Sequence, residues 1–280
     1  ASPARDARSG YTAFLLRPPY ATPSFAPAAT AIRALGETPG CLIGILLTRA
    51  DPDWTEIERF VLALRVRFAF APVVLLLRLP QDESVYVSSR AGRLKIRAVV
   101  AEGQPLGATL RRSLTATDGL GEDVVEWLDL QRVRLSPSVR HLLRSLISGA
   151  AKHGDVTSVL RQIGTPESTA RFQLHKRRLP APGRWFQAGR ALHATLRLQA
   201  EPERPLLSLA LEMGYADHSA LSQLVHRTFG MRPGRLRQVL GWEWLMHRWL
   251  RTHIPAAAMM YPETQAPRDL CAADANFSTL

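Results

Sequence analysis

The sequence predicts two folding regimes in succession: an α/β half built on a parallel sheet, then an all-α half. Three observations predict it. Short apolar runs without polar interruption alternate with helical spacing through the first 115 residues, as expected of parallel strands covered on both faces. From residue 136 such runs stop, and helical periodicity continues to about residue 250. Basic charge is densest in that helical stretch, with 17 Lys/Arg against 7 Asp/Glu in residues 136–250, compared with 15 against 9 in residues 1–115.

Residues 1–10, ASPARDARSG, read as a disordered lead without the apolar core of a signal peptide. In the α/β domain, 11–115, Tyr11–Leu16 is a strand ending at Arg17-Pro18-Pro19, and 26–35 is a helix. Residues 41–47, CLIGILL, form a second strand, closed by Thr48-Arg49-Ala50-Asp51-Pro52. In Trp54–Phe68, the spacing of Ile57, Val61, Leu64 and Phe68 puts four apolar groups on one helical face. Val73–Leu77 is a buried strand, 82–94 a helix, 96–101 a strand and 106–114 a helix. Residues 116–135 read as an acidic linker, with Gly119, Gly121 and five acidic residues against two basic ones, partly helical over 124–130. The all-α domain takes 136–250. Pro255, Pro262 and Pro267 with few large apolar groups make 251–280 a flexible tail.

The net charge of +12 over 280 residues suits a polyanionic partner. Cys41 and Cys271 are the only cysteines, too few for a disulfide framework or a metal site, as expected of a reducing cytoplasm. No run of about 18 apolar residues offers a membrane span. Dinucleotide, Walker, nucleophile-elbow and zincin motifs are absent, so neither catalysis nor a cofactor is expected.

The most informative stretch is 206–237, LLSLALEMGYADHSALSQLVHRTFGMRPGRLR. Leu206, Leu207, Leu209, Ala210 and Met213 make the packing face of a first helix. Gly214 can adopt the left-handed conformation of a sharp stop. Asp217 caps a second helix, whose Leu221, Leu224 and Val225 face the core. His218, Ser219, Ser222, Gln223 and His226 face outward, with hydrogen-bonding groups suited to base edges; Arg227 joins them as a DNA contact. Phe229-Gly230 stops the helix and Pro233 opens the next.

A weaker copy lies upstream, over 156–198. Val159, Leu160 and Ile163 pack, Gly164 turns, and Thr165-Pro166 starts the next helix, with Ala170 and Leu174 at its core positions. Ser168, Arg171 and Phe172 then take base-reading positions. Arg171 can bond guanine bidentately, while Phe172 either touches a thymine methyl or packs. His175, Lys176, Arg177 and Arg178 suit phosphate.

Through Leu209-Ala210, Gly214-Tyr215, Ser219, Leu221, Val225, His226-Arg227, Phe229-Gly230, Pro233, Leu236 and Arg237, the chain resembles the AraC/XylS family of bacterial transcription regulators. Arg190, Ala194 and Leu198 match the family's helix between its two motifs. Phe172 stands where the family usually has Arg, and Leu179 where it usually has Gly. The resemblance covers about 115 residues. It implies two helix-turn-helix units entering successive major grooves, about one turn or ~34 Å apart. Double-stranded DNA is then the partner of a cytoplasmic, nucleoid-associated homodimer, with RNA polymerase or another regulatory protein as a further partner.

The first half resembles a response-regulator receiver domain, or another flavodoxin-like domain, with its phosphorylation chemistry missing. Thr48 stands at the phosphoacceptor position, Arg17-Pro18-Pro19 replaces the acidic pair, Arg78 stands where Thr or Ser is usual, and Glu102 where lysine is expected. A carboxylate nucleophile, Mg²⁺ carboxylates and a cation are all needed for that chemistry. Dimerisation, partner docking or sensing a small ligand at the carboxyl ends of the strands remain as roles. The basic stretch 93–97 is either a site for an anionic ligand or a solvated face.

Overall fold

The computed structural model describes residues 10–17, 20, 35, 40–49, 51–68, 70–78 and 84–254. The expected helix over 26–35, the lead over 1–9 and the tail from 255 onward lie outside the described residues. The chain separates into two compact units, dividing between Leu114 and Thr115.

The first unit is an α/β arrangement on a four-stranded sheet in the order β1-β2-β3-β4. The strands are β1 (Tyr11–Leu16), β2 (Leu42–Leu47), β3 (Val73–Leu77) and β4 (Ala98–Ala101), with helices α1 (Trp54–Phe68), α2 (Ser84–Arg93) and α3 (Leu106–Thr115). The expected all-parallel sheet needs correction. β2, β3 and β4 are parallel, but β1 runs antiparallel to β2, pairing Tyr11 with Leu47 and Leu16 with Leu42. Apolarity reports burial, not direction, and the connection from 17 to 41 is long enough for either a return or a crossover.

α1 forms because Asp53 accepts the N–H groups of Thr55 and Glu56 at its start, at 2.9 and 3.2 Å. It buries Ile57, Phe60, Val61, Leu64 and Phe68 in one cluster with Ile43, Ile45, Leu47, Val73, Leu75 and Leu77. Each such side chain contributes roughly 1.5–3 kcal/mol of burial. The Phe14 ring covers Gly44, where a Cβ would stand 2.7 Å from it, so β2 has no room for a larger residue there.

The second unit is helical. The segment expected as an acidic linker, partly helical over 124–130, holds the helix α4 (Leu120–Leu130), with Leu120, Val124, Val125, Trp127 and Leu128 buried. Its acidic residues lie on the outer side of an apolar stripe, and they pair: Asp129 with Arg140 and Glu122 with Arg144 of α5 (Pro137–Gly149). A Cβ on Gly121 would come within 2.5 Å of the Arg144 carbonyl oxygen, so the α4–α5 crossing depends on glycine.

Around α5 lie α6 (Val156–Gln162), α7 (Glu167–Lys176), α8 (Pro182–Ala200), α9 (Leu206–Glu212), α10 (His218–Phe229), α11 (Pro233–Leu236) and α12 (Glu243–His253). α12 runs three residues past the expected end at Leu250, and the Ile254 N–H donates to the Leu250 carbonyl at 2.8 Å where it ends. α8 is the axis of the unit. Of its 19 residues 14 are buried, and it packs against α5, α6, α7, α10 and α11. Gly189 makes the crossing with α5 possible, since a Cβ there would stand 2.9 Å from Ala150 Cβ and 3.1 Å from Ile147 Cα. Trp185 of α8 meets Trp249 of α12 edge to face, centroids 4.7 Å apart.

Candidate nucleic-acid interface

α6 and α7 form one helical hairpin, α9 and α10 another, and both pack on α8. Their turns are closed by the same hydrogen bonds. In the first, the Gly164 N–H donates to the Arg161 carbonyl (3.1 Å) and the Thr165 N–H to the Leu160 carbonyl (3.0 Å). In the second, the Gly214 N–H donates to Leu211 (3.0 Å) and the Tyr215 N–H to Ala210 (2.9 Å). This paired closure needs one left-handed residue, and Gly164 (φ 63°) and Gly214 (φ 78°) supply it. A Cβ at either would meet nothing within 4 Å, so backbone conformation and not space selects glycine. From the glycine to the residue capping the next helix, the second connection is one residue longer, Gly214 to Asp217 against Gly164 to Pro166.

The hairpins differ in their caps. Asp217 accepts the N–H groups of Ser219 (2.6 Å) and Ala220 (2.9 Å) at the start of α10. The backbone N–H of Ala220, then that of Ser219, hold its carboxyl below the usual aspartate range. α7 starts after Pro166 with no side-chain cap. In the first hairpin the aspartate cap lies one helix earlier, at α6, where Asp155 accepts the Ser158 N–H and hydroxyl, both at 2.8 Å, and is lowered in the same way.

At Leu179, where the AraC/XylS pattern has glycine, the backbone does not need one. The left-handed residue is Arg178 (φ 57°), whose N–H donates to His175 at 2.8 Å. Leu179 is buried and donates to Leu174 at 3.0 Å. Gly230 (φ 69°) ends α10 by donating to His226 at 2.7 Å.

The expected contact residues lie on the surface of these helices. On α7, Ser168, Arg171, Phe172, His175 and Lys176 are exposed, and Ala170 and Leu174 are buried. On α10, His218, Ser219, Gln223, His226 and Arg227 are exposed and Ser222 is half-buried, over buried Leu221 and Val225. Several packing residues need correction. Leu224 is only half-buried, as are Ile163, Leu206 and Met213, and Leu207 is exposed, leaving Leu209 and Ala210 as the buried pair of α9. A helix of only two turns has room for a narrow buried stripe, so its remaining leucines face water.

Arg171 is not a free side chain. Its Nε and Nη2 donate to Glu167 one turn earlier, at 2.9 and 2.6 Å. Glu167 is thus the partner of this guanidinium one turn back, a pairing that the residue types alone had not assigned. Gln223 accepts from Arg227 in the same i,i+4 relation, at 3.3 Å.

Arg190 is the other residue whose role sequence did not disclose. It is buried in the middle of α8, 7% exposed. Its Nη1 donates to the carbonyls of His153 (3.0 Å) and Gly154 (3.4 Å), just before the first hairpin. Its Nε donates to the Tyr215 hydroxyl (2.7 Å) and its Nη2 to the Met213 carbonyl, both in the turn of the second. The guanidinium also lies over the Tyr215 ring, 4.5 Å from its centroid. One side chain therefore holds both hairpins to the same axis. The available signal was an arginine spaced among the buried residues of an otherwise apolar helix. Glu212 adds a second tie, pairing α9 with Arg197 of α8 and with Arg204; Arg204 first, then Arg197, hold it below the usual glutamate range.

In the first unit, the mixed sheet departs near Thr48 from the all-parallel sheet that the receiver resemblance implies. The Thr48 N–H donates to the Gly10 carbonyl at 3.0 Å. Because β1 is antiparallel, the start of that strand lies beside Thr48, while Arg17 after its last residue lies at the other end of the strands, near the start of β2. The ends of β3 and β4 instead carry an exposed ion pair, Arg78 with Glu102 at 4.0 Å.

Among the described residues no cluster of His, Cys, Asp or Glu has the composition of a metal site, and no helix is long and apolar enough to cross a membrane. No protein-family model matches the chain, and no curated protein does.

Proposed function

We propose that the chain is a sequence-specific DNA-binding transcription regulator of the AraC/XylS type. In this reading the two hairpins are helix-turn-helix units, α7 and α10 are the reading helices, and the first unit controls them by oligomerisation, a ligand or a partner protein. The protein acts as a homodimer on the nucleoid in the cytoplasm, without catalysis. The observation that carries the reading is the pairing of two hairpins, closed by the same glycine turn, with polar outer faces and buried inner ones on a shared axis. The basic charge of residues 136–250 supports it, since phosphate contacts supply most of the non-specific affinity.

Selection of duplexes from a random pool followed by footprinting tests it. Two protected major grooves on one face, about one turn apart, are expected. Arg171→Ala should weaken binding by roughly 1–3 kcal/mol and relax preference at a single base pair. Protection of one groove, or equal binding of all duplexes, refutes the proposal.

A second reading, a partner-binding regulator with little specific DNA reading, is favoured by the apolar groups on these helices: Phe172 is 66% exposed on α7, and Leu207 and Leu211 are 47% and 56% exposed on α9. Equal affinity for selected and random duplexes would favour it.

A further inference from the structure

The loop after α4 and the end of α7 line a groove of about 550 Å³ that holds none of the base-reading residues, and of its lining only Arg177 was expected to meet phosphate. Its lining includes Asp129, Arg132, Arg134, Arg140 and Arg177. Asp129 is already neutralised, because Arg140 donates to it through both terminal nitrogens. The other three guanidinium groups carry no ion pair among the described residues. Three like charges around one concavity repel each other, and a bound anion reverses the sign of that interaction.

The loop that presents them is held by its backbone. The Arg132 N–H donates to Asp129 (2.8 Å) and the Val133 N–H to Leu128 (3.0 Å), with Arg132 at φ 57°. Val133 is buried, 3% exposed, and pins the loop between two outward arginines. Arg177 comes from a different element, the residue that caps the end of α7. Guanidinium forks presented from two elements match the several oxygens of a phosphate, which accepts paired N–H bonds.

The position of Arg177 indicates the source of that phosphate. α7 has ten residues, so it is about 15 Å long. That is comparable with the ≈ 12 Å width of a major groove. A helix lying across such a groove has its end at the bordering phosphate strand.

We infer that the arginine groove is a phosphate-binding site, and that it takes a backbone phosphate of the duplex beside the groove read by α7. The second half of this inference rests on the proposed function; the first half does not. The tests use the full chain. Calorimetric titration with inorganic pyrophosphate at low salt should show one site, weakened about tenfold or more in the double variant Arg132→Gln/Arg134→Gln and unchanged in Arg161→Gln, an exposed arginine of α6. Both substituted side chains are exposed, and an unchanged melting temperature checks the fold. On a selected duplex, the double variant should lower the slope of log K against log salt by about two.

Pyrophosphate binding that is absent from the wild type, or equal in the double variant, overturns the site. Loss of pyrophosphate binding with unchanged duplex affinity and salt slope overturns the backbone assignment and makes the ligand a free phosphate compound. Should the wild type bind no duplex at all, the proposed function fails together with the backbone assignment, and the pyrophosphate titration still decides the site.

Discussion

Replacing Arg190 by methionine removes a side chain that bonds both the approach to the first hairpin and the turn of the second, while keeping most of its aliphatic volume. The guanidinium donates to three backbone carbonyls and one phenol. Hydrogen bonds to a charged group are each worth about 1.5–3 kcal/mol, so simple addition would suggest a loss well above 5 kcal/mol. Two effects reduce it. The buried guanidinium has been taken out of water, and its removal returns that desolvation cost. The site also borders an open cavity of about 440 Å³, lined by Gly154, Arg190, Met213, Tyr215 and Leu224 among others, so water can reach the released carbonyls. We expect a net loss of roughly 2–4 kcal/mol, near the scale of breaking a small buried polar network. Urea unfolding of the full chain measures it. Tyr215→Phe, which removes one bond and keeps the ring, should cost only about 1 kcal/mol. Duplexes with the two protected grooves moved apart by one or two base pairs give a second readout: the wild type should discriminate against them, and Arg190→Met should discriminate less at temperatures where it is folded. A loss under about 1 kcal/mol, or an unchanged spacing preference, refutes the idea that Arg190 couples the hairpins.

Four further outcomes follow from the same geometry. Gly214→Ala should destabilise by about 1–2 kcal/mol, because φ 78° forces an L-residue into the left-handed region although the Cβ itself finds space. Arg178→Gly should act oppositely, gaining roughly 0.5–1 kcal/mol once the extra chain entropy of glycine is counted; denaturant midpoints of the pair check both signs. Gly189→Val should cost about 1–3 kcal/mol or more by pushing α8 off the backbone of α5, seen as a lower melting temperature. For pH, burial holds His193 below its ordinary value of 6.5, against the opposing pull of its bond to the Ile147 carbonyl. The folded chain therefore resists a proton that the unfolded chain accepts, so stability is full above about pH 6.5 and falls as pH drops from there toward the folded pKa. Burial lowers His247 in the same direction. Unfolding in urea at pH 7.5 and 5.5 should show a smaller decrease for His193→Gln than for the wild type; equal decreases contradict the assignment.

Legibility followed the range of the interaction. Tyr11–Leu16, Trp54–Phe68 and Val73–Leu77 fall where their own spacing puts them, because burial of one face is written in local periodicity. The direction of β1 is not, since antiparallel and parallel partners bury the same apolar run. α4 was obscured by composition: five acidic residues in a short segment look like a spacer until Arg140 and Arg144 of α5 are seen to neutralise two of them. On the candidate interface, Gly164 and Gly214 were legible because the left-handed turn selects a residue type. The pairing of Arg171 with Glu167 was also within reach, as an i,i+4 relation. The Arg190 clamp and the arginine groove were not, because each joins residues tens of positions apart.

The fold around α8 has a consequence for where specificity resides under the proposed function. An axis with 14 of 19 residues buried, a shared guanidinium at its middle and Glu212 tying α9 to it make the two hairpins one stiff body. Such a body presents its reading helices at a fixed separation and angle. Any mismatch with straight duplex then falls on the DNA, and smoothly bending a site of 20–30 base pairs by 40–90° costs of order 1–6 kcal/mol. That cost depends on the stiffness of the base steps between the two grooves, which no side chain touches. Flexible pyrimidine–purine steps there should bind more tightly than a stiff A-tract even with identical contacted bases. The difference should shrink in Arg190→Met, where the protein can share the deformation. Equal affinity for flexible and stiff spacers in the wild type would mean that the hairpins already match undistorted DNA, and sequence preference would then rest on the exposed faces of α7 and α10 alone.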